Sequence, residues 1–304
     1  MSSPSRLKAL ATEQPNPASE NLDTKSALEI ARIINCEDAK VAAAVAHALP
    51  QIARAIKWIA ESLARGGRLI YVGTGTSGRI AALDAAECPP TFGVDPKLVQ
   101  FVMAGGRKAL GAAVEADEDS RTMGAREISK KRPGKKDVVV GVSASGRTAF
   151  TVAAIELARR AGAKTVAVTF NPGSPLEAAA DLAIMVETGA EVVAGSTRMK
   201  AGTAEKMVLN MLSTGAMVRL GFVYGNLMVN LHQKNRKLAE RAAGIVESAT
   251  GVNQIRARQL LRSAGNSVPI AIVMHCAGVT KKEADEALRS ACGHVRKAIT
   301  MADR

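Results

Sequence analysis

The sequence predicts an α/β fold, a doubly wound five-stranded parallel sheet with helices before it and a small helical module after it. Short apolar runs alternate with helix-like segments between residues 68 and 186, a pattern typical of a parallel sheet covered on both faces. A glycine- and hydroxyl-rich turn follows both the first and the third run. The C-terminal part contains an internal repeat with helical spacing, which predicts the appended module.

The chain is expected to divide into an α/β domain with its N-terminal arm and helices, residues 1–245, and a helical module, residues 246–304. The arm, up to about residue 24, is polar and contains prolines. A helix is predicted from Ser26 to Ile34. Apolar residues at helical spacing then predict one long amphipathic helix from Asp38 to Leu63, with an interruption near Pro50.

The central region provides the sheet and the helices that cover it. Strands are predicted near residues 68–72, 98–103, 137–142, 164–169 and 182–186. Helices are predicted at residues 76–86, 107–127, 148–161, 204–220 and 227–246. Pro89 and Pro90 are expected to end the first of these helices beside Glu87, because proline lacks the N–H that a helix needs. In the common strand order 2-1-3-4-5, strands 1 and 3 are neighbours, so the turns after them meet at one crevice.

The repeat in the tail has a period of 27 residues and aligns residues 251–272 with residues 278–299. Ten positions are identical in the two copies, among them the Leu261-Arg262-Ser263-Ala264 segment. Units of this size predict small helical hairpins that stack on each other. The repeat contains no group of residues that indicates chemistry.

Composition excludes several classes of function. No stretch is long and apolar enough to span a membrane, and no apolar export signal follows the N-terminal basic residues. The four cysteines and four histidines lack metal-ligand spacing, so we expect free thiols, a cytoplasmic location and no metal. An aromatic content of 3% argues against base stacking on nucleic acid.

The net charge of +13 is spread along the chain, which is unlike the clustered patch of a nucleic-acid-binding surface. The densest basic run, residues 130–136, precedes a predicted strand and is expected to form a solvated loop. A general positive field would also attract a small polyanionic substrate. We therefore expect a small-molecule partner, with no nucleic acid and no membrane.

The two glycine-rich turns are the candidate phosphate site. Four residues of the first turn recur in the second, since Gly73, Ser77, Gly78 and Arg79 align with Gly141, Ser145, Gly146 and Arg147. A strand, a glycine-rich turn and a helix together direct backbone N–H groups and a helix dipole at one point. A packing role explains one such turn but not easily two with matching serines. We expect the phosphate to be bound by Thr76, Ser77, Ser143, Ser145 and Thr148.

The first turn lacks the signature of a nucleotide-binding motif. The spacing Gly73-x-Gly75-x-x-Gly78 lacks the acidic residue that follows a dinucleotide fingerprint by about 20 positions. A lysine does not follow the last glycine, which excludes a P-loop. Another polar turn, residues 195–203, combines Arg198 and Lys200 with hydroxyl groups beyond what a helix cap needs. It is the candidate site for a second anion.

Carboxylates near these turns are candidates for acid–base catalysis. Glu87 follows the first predicted helix and stands beside a rigid proline turn. Glu115 and Glu118 are three residues apart on the predicted helix 107–127, so they share a face. Composition alone favours the interpretation that these carboxylates lie on a solvent-exposed helix face. A crevice that combines phosphate-binding turns with carboxylates instead suits acid–base catalysis on a sugar phosphate.

With these motifs, the chain resembles the sugar isomerase domain family and, within it, the N-acetylmuramic acid 6-phosphate etherase family. The resemblance extends from about residue 12 to residue 300. It rests on residues 73–79, 83–93, 104–106, 113–115, 118–119, 143–148 and 195–204, and on Thr12-Glu13, Asn16 and Leu22-Asp23 in the arm.

The resemblance implies a cytoplasmic lyase of cell-wall (peptidoglycan) recycling that needs no metal and no cofactor. It would cleave the D-lactyl ether at C3 of the sugar, giving N-acetylglucosamine 6-phosphate and D-lactate. The two catalytic glutamates of the family correspond to Glu87, assigned as the acid, and Glu118, assigned as the base, with Glu115 as the alternative base. Arg198 and Lys200 are candidates for the lactyl carboxylate, and a homodimer is expected. Two alternatives stay open, a sugar-phosphate-sensing regulatory protein and an aldose–ketose isomerase.

Overall fold

The computed structural model of the protein describes residues 10–112, 117–231 and 236–303. Contacts divide the chain into two units, Met1–Ala85 with Lys97–Ser213 and Ala86–Pro96 with Thr214–Arg304. Residues 214–245 thus group with the C-terminal helices, whereas the sequence predicts a domain boundary at residue 245. The boundary of an independently folding domain stays a prediction.

The first unit contains the predicted parallel sheet. Its strands are β1 Leu69–Gly73, β2 Val99–Met103, β3 Val138–Val142, β4 Lys164–Thr169 and β5 Leu182–Met185. Their order is β2-β1-β3-β4-β5 and every pair is parallel, which confirms the predicted fold class and strand order. Because the ends of β1 and β3 pair through Gly73 and Val142, the turns after them start side by side.

The helices that precede the sheet begin after three short 3-10 turns in the arm. Helix α1, Ala27–Asp38, starts at a capping box in which Ser26 and Glu29 each bind the other's backbone N–H. The predicted long helix is two helices, α2 Val41–His47 and α3 Leu49–Ala64. The interruption expected near Pro50 is confirmed, and Pro50 stands in the first turn of α3, where a missing N–H has no cost.

Helix α4, Gly75–Phe92, overturns the prediction that Pro89 and Pro90 end the helix at Glu87. Proline at these positions removes only two hydrogen bonds in the last turns, and its fixed φ is compatible with a helix. The Gly93 N–H donates to the Pro89 carbonyl at 2.9 Å and completes the last turn. Glu87 therefore lies inside a helix and not in a turn after one.

The prediction of one continuous helix over residues 107–127 is also wrong. The described part of this region has a 3-10 helix, Gly106–Leu110, a turn at residues 117–119, and helix α5, Arg121–Ser129. Ser120 caps α5 by accepting from the Met123 N–H at 3.2 Å, so a new helix begins there. Glu118 consequently lies in the turn before α5, and Glu115 lies outside the described residues.

The sequence predicts two of the three remaining helices that start in the first unit and does not predict the short one between them. Helix α6, Ala149–Arg160, covers the sheet, and α7, Pro175–Ala179, is a single short helix. Helix α8, Lys200–Arg219, begins four residues earlier than the predicted 204. The reason is Glu191, whose carboxylate accepts the backbone N–H groups of Lys200 and Ala201 at 2.9 and 3.0 Å and so caps the helix from outside it.

In the second unit, the helix predicted over residues 227–246 is wrong at its start, because Val223–Tyr224 (β6) and Leu227–Met228 (β7) form an antiparallel hairpin. Gly225 has φ +60° in the intervening turn, a backbone conformation that favours glycine.

The helices that follow the hairpin are α9 Arg236–Thr250, α10 Gln254–Ser263, α11 Val268–Ala277, α12 Lys281–Ser290 and α13 Val295–Ala302. The starts of α10 and α12, and of α11 and α13, are 27 residues apart, which confirms the repeated helical hairpin.

Within the described residues, no helix is both long enough and apolar enough to cross a lipid bilayer. The basic residues 130–136 form the loop between α5 and β3, as predicted. The guanidinium group of Arg68 donates hydrogen bonds to two carbonyl oxygens of this loop, those of Lys131 and Arg132. Arg68 also forms a 2.7 Å ion pair with Asp137.

Candidate functional site

The turn after β1 brings helix α4 tightly onto the sheet. The Gly78 N–H donates to the Thr74 carbonyl at 2.9 Å. A side-chain carbon at Gly78 would lie 2.8 Å from Met103 Cγ and 2.9 Å from the Gly73 carbonyl oxygen. Only glycine permits this approach, which leaves the backbone N–H groups of the first helical turn directed past the end of β1. Such a helix start is suited to an anion.

The turn after β3 gathers three of the predicted phosphate ligands. Ser143 Oγ lies 2.9 Å from Thr148 Oγ1 and accepts the Gly146 N–H at 3.2 Å, while Ser145 Oγ accepts the Arg147 N–H at 3.2 Å. Gly146 has φ +65°, and a side-chain carbon there would lie 2.3 Å from Ser174 Oγ. The hydroxyl groups are therefore held in place before any ligand binds.

Arg147 belongs to the repeated Ser-Gly-Arg motif but is not among the predicted site residues. Its Nε is buried and has no hydrogen-bond partner among the described residues. A buried guanidinium N–H without an acceptor is a strong donor for a bound oxyanion. It lies in the same turn as Ser145, where an anion would satisfy it.

Ser77 lies on α4 and is buried, and its Oγ is 2.6 Å from Glu205 Oε1 on α8. Thr76 is half-buried. A side-chain carbon at Gly202 of α8 would lie 3.5 Å from its Cγ2. Helix α8 therefore packs against the start of α4. Glu205 is absent from the sequence prediction, because an acidic residue on a helix does not reveal its burial.

Glu118 lies against the glycine-rich turn that follows β1. A side-chain carbon at Gly75 would lie 3.4 Å from Glu118 Oε1. Gly75 is the first residue of α4 and has φ +51°. The structure thus brings one predicted catalytic carboxylate to the N-terminal end of α4, where the positive helix dipole attracts negative charge.

Glu87 is exposed on α4, three residues after a buried carboxylate on the same helix, Asp84. Asp84 accepts hydrogen bonds from Tyr71, Asn210 and Ser213 at 2.8, 2.7 and 3.0 Å. Burial raises the pKa of Asp84, although these three hydrogen bonds act against the change. The Asp84 network ties α4 to the sheet and to α8, while the side chain of Glu87 is accessible to solvent.

Arg198 and Lys200 have different surroundings, although the sequence places both in one cationic turn. Arg198 is exposed. Lys200 is 2% exposed, and its Nζ forms a 2.7 Å ion pair with Glu37 of α1. Burial alone would raise the pKa of Glu37, but hydrogen bonds from Lys200, Lys40 and Asn16 outweigh it and lower the pKa to about 2. The ammonium group of Lys200 is thus engaged inside the protein.

No three His, Cys, Asp or Glu side chains within the described ranges cluster in a way that could hold a metal ion. The expectation that the reaction needs neither a metal nor a cofactor stays a prediction.

Two family models match the central region. Residues 51–159 match the glucokinase regulatory protein N-terminal SIS domain, and residues 127–215 match the SIS domain. Among solved structures, a phosphoheptose isomerase from Francisella tularensis aligns with a TM-score of 0.51 and 19% identity, covering 64% of this chain and 100% of that chain. These similarities show the sugar isomerase fold.

Two curated relatives match almost the whole chain. N-acetylmuramic acid 6-phosphate etherase from Symbiobacterium thermophilum is 57% identical over 274 residues, which are 90% of this chain and 91% of that protein. N-acetylmuramic acid 6-phosphate etherase 1 from Vibrio cholerae serotype O1 is 48% identical over 293 residues, 96% of this chain and 98% of that protein. With identity this high over nearly the full length, the chain belongs to the N-acetylmuramic acid 6-phosphate etherase family.

Proposed function

We propose that the protein is an N-acetylmuramic acid 6-phosphate etherase, a carbon–oxygen lyase that acts on an amino-sugar phosphate. It cleaves the D-lactyl ether at C3 and gives N-acetylglucosamine 6-phosphate and D-lactate. Besides membership of the family, the structural observation that supports this reaction is the position of Glu118. Its carboxylate lies beside Gly75 at the start of α4, next to the turn that is the candidate phosphate site.

The chemistry explains why a carboxylate pair is needed. An ether oxygen is a poor leaving group, so direct displacement by water is slow. Opening of the sugar ring exposes an aldehyde at C1, which acidifies the proton on C2. A base removes that proton, an acid protonates the departing lactate oxygen, and an unsaturated aldehyde forms. Water then adds at C3 to give the product.

We assign Glu118 as the base that removes the C2 proton and later activates the water. Glu87 is assigned as the acid that protonates the lactate oxygen. Proton transfers of this kind typically contribute about 10²–10⁴-fold each. The location of Glu118 at a helix start suits a group that begins the reaction as an anion.

Two other functions are not favoured. A sugar-phosphate-sensing regulator needs the phosphate turns but no catalytic glutamates, whereas the chain has glutamates at both family positions, 87 and 118. An aldose–ketose isomerase uses a base but needs no acid at C3. Incubation with N-acetylmuramic acid 6-phosphate and an assay for D-lactate separates the three: only the etherase releases D-lactate, and its absence would refute the proposal.

The phosphate is proposed to bind Ser77, Ser143, Ser145 and Thr148, with Thr76 nearby. Ser145→Ala is expected to raise KM for the phosphorylated substrate about tenfold, because one hydrogen bond to a charged group is lost. Steady-state kinetics measure this change. The matched control is Ser129→Ala, since Ser129 Oγ is exposed and donates to the Arg126 carbonyl at the end of α5. An unchanged KM for Ser145→Ala would count against the phosphate site.

The lactyl carboxylate is proposed to bind Arg198. Lys200 is the second candidate from the sequence, but its ammonium group pairs with Glu37. Its proposed role is to hold the turn that contains Arg198 in place, without contacting the lactyl carboxylate. Arg198→Ala is expected to raise KM roughly tenfold, because a charge-assisted hydrogen bond to the substrate is lost. If kcat/KM for N-acetylmuramic acid 6-phosphate is the same in the variant, Arg198 does not bind the substrate.

We further propose that the protein acts in the cytoplasm as a homodimer. Unbridged thiols at exposed positions, Cys36, Cys276 and Cys292, suit a reducing compartment. The large apolar side chains of Leu28 and Leu83 are 60% and 52% exposed, and a second copy of the chain would cover such surface. Sedimentation velocity of the purified protein measures the mass in solution and tests the dimer.

A further inference from the structure

Glu205 is a buried carboxyl group to which the proposed reaction gives no role. It lies in the second turn of α8 and is 1% exposed. Its Oε1 is 2.6 Å from Ser77 Oγ. Its other oxygen, Oε2, is buried and has no hydrogen-bond partner among the described residues. A buried carboxylate needs several donors to remain ionised, and Glu205 has one hydroxyl group.

The charged groups around Glu205 do not provide the missing donors. Glu191, from the segment between β5 and α8, is itself acidic and accepts the N–H groups at the start of α8. Lys200, one turn earlier on α8, directs its ammonium group to Glu37 of α1. On α4, Asp84 lies two turns after Ser77 and is already bound by three donors.

These surroundings favour a neutral carboxyl group. Burial raises the pKa of Glu205 to about 8, although the hydrogen bond with Ser77 acts in the opposite direction, and the negative charge of Glu191 adds to the increase. Near neutral pH the group therefore holds a proton. On Oε1 this proton has an acceptor, the oxygen of Ser77, whereas on Oε2 it would have none.

We propose that Glu205 is a positioning residue for the substrate phosphate: its proton is donated to Ser77 Oγ, which directs the proton of the serine toward the phosphate. The inference rests on the proposed role of Ser77 as a phosphate ligand. A serine hydroxyl has one proton and can also accept. A neutral Glu205 thus frees that proton for the ligand, and the two hydrogen bonds in series strengthen each other.

Ionisation of Glu205 reverses this arrangement. A carboxylate only accepts hydrogen bonds, so Ser77 must then donate to Glu205 and the phosphate loses that donor. The ligand also meets a buried negative charge behind the serine. Phosphate affinity should consequently fall as the pH rises through the pKa of Glu205, in a range where the phosphate itself stays a dianion, because its second pKa is about 6.

The test measures the affinity of the full-length protein for N-acetylglucosamine 6-phosphate by calorimetry between pH 7.5 and 9.5. For the wild type, the dissociation constant should rise about 25-fold over this range if only the neutral form of Glu205 supports binding. In Glu205→Gln the amide N–H₂ replaces the carboxyl proton and cannot ionise. The rise should shrink to about twofold or less in this variant, which is the change expected when the ionisation is removed.

A second variant keeps Glu205 in place and changes only its surroundings. Glu191→Gln removes the negative charge that raises the pKa of Glu205, so the decline in affinity should begin at lower pH. This outcome does not depend on whether Glu205→Gln folds. A residue with only a structural role would alter stability but would not move the pH at which the ligand is lost.

The outcomes separate this inference from the proposal on which it rests. If Ser77→Ala binds N-acetylglucosamine 6-phosphate as tightly as the wild type, Ser77 is not a phosphate ligand and both ideas fail. If Ser77→Ala weakens binding while both glutamate variants keep the wild-type pH profile, the phosphate site stands and the role of Glu205 is refuted.

Discussion

Glu118→Gln is expected to abolish both the release of D-lactate and the exchange of the C2 hydrogen with solvent deuterium. If Glu118 removes the C2 proton, the amide cannot accept it, and the reaction stops at its first step. Loss of a general base typically costs about 10²–10⁴-fold in rate. Lactate release is measured with a D-lactate dehydrogenase assay, and exchange by NMR in D₂O.

Glu87→Gln is expected to give a different result in the same experiment. Release of lactate should fall by about 10²–10⁴-fold, because the leaving oxygen is no longer protonated. Exchange at C2 should persist in part, since deprotonation can precede cleavage of the C–O bond. A Glu87 variant that loses exchange while the Glu118 variant retains it would reverse the assignment of acid and base.

Glu115→Gln is the control for the base. The sequence places Glu115 three residues before Glu118, and Glu115 lies outside the described residues. If Glu115→Gln alone stops exchange and Glu118→Gln does not, Glu115 is the base and the elimination mechanism still holds. If both variants exchange the C2 hydrogen at the wild-type rate, neither Glu115 nor Glu118 is the base.

Lys200→Met is expected to reduce the free energy of unfolding by about 3–5 kcal/mol, because it leaves the buried carboxylate of Glu37 without its main partner. Lys200 Nζ and Glu37 are 2.7 Å apart, and their side chains are 3% and 4% exposed. Two partners remain, Asn16, which donates to Glu37 at 3.0 Å, and the exposed Lys40, and they are insufficient compensation for a buried charge. Urea unfolding followed by circular dichroism measures the difference.

Lys40→Met is the matched control, because Lys40 also pairs with Glu37 but its side chain is 66% exposed. An exposed pair contributes about 0–1 kcal/mol. The double variant Glu37→Met/Lys200→Met should recover part of the lost stability, since both charges leave the interior together. Equal losses for Lys40→Met and Lys200→Met would contradict the proposed importance of the buried pair.

The pH dependence of stability provides a second readout of Glu37. Its pKa is lowered to about 2 from an ordinary value of 4.5. The stabilisation is present above pH 4.5 and is lost as the pH falls toward 2, because the folded state must then bind a proton that it resists. The acid-induced loss of stability should be smaller in Lys200→Met, whose Glu37 has a pKa closer to the ordinary value.

The sheet was predictable because the information that determines it is local. Each strand is a mostly apolar segment of four to six residues, and the helices between them make parallel pairing the natural arrangement. The order β2-β1-β3-β4-β5 then brings the turns containing Ser77 and Ser145 to neighbouring strand ends. The sequence alone therefore predicted that these two turns lie at adjacent strand ends, while their binding of phosphate stays a prediction.

The sequence pattern gave the wrong helix boundaries at two places, the end of α4 and the start of α5. Pro89 and Pro90 fit inside the last turns of α4, because few hydrogen bonds remain to be lost at a helix end. Before α5, the N-cap Ser120 starts a new helix and leaves Glu118 in a turn. The periodicity of apolar residues in short segments does not distinguish one helix from two, so these boundaries needed the structure.

Amino-acid sequence by itself determined the family, the strand order and the motifs that contain the candidate ligands. Only the tertiary structure decided which polar groups are buried together. Lys200 looks like a ligand in the sequence, yet its partner is Glu37, 163 residues away, and Ser77 meets Glu205 across 128 residues. Burial and pairing of charges arise when distant elements pack, and the cost of leaving such groups unpaired exists only in that packed interior.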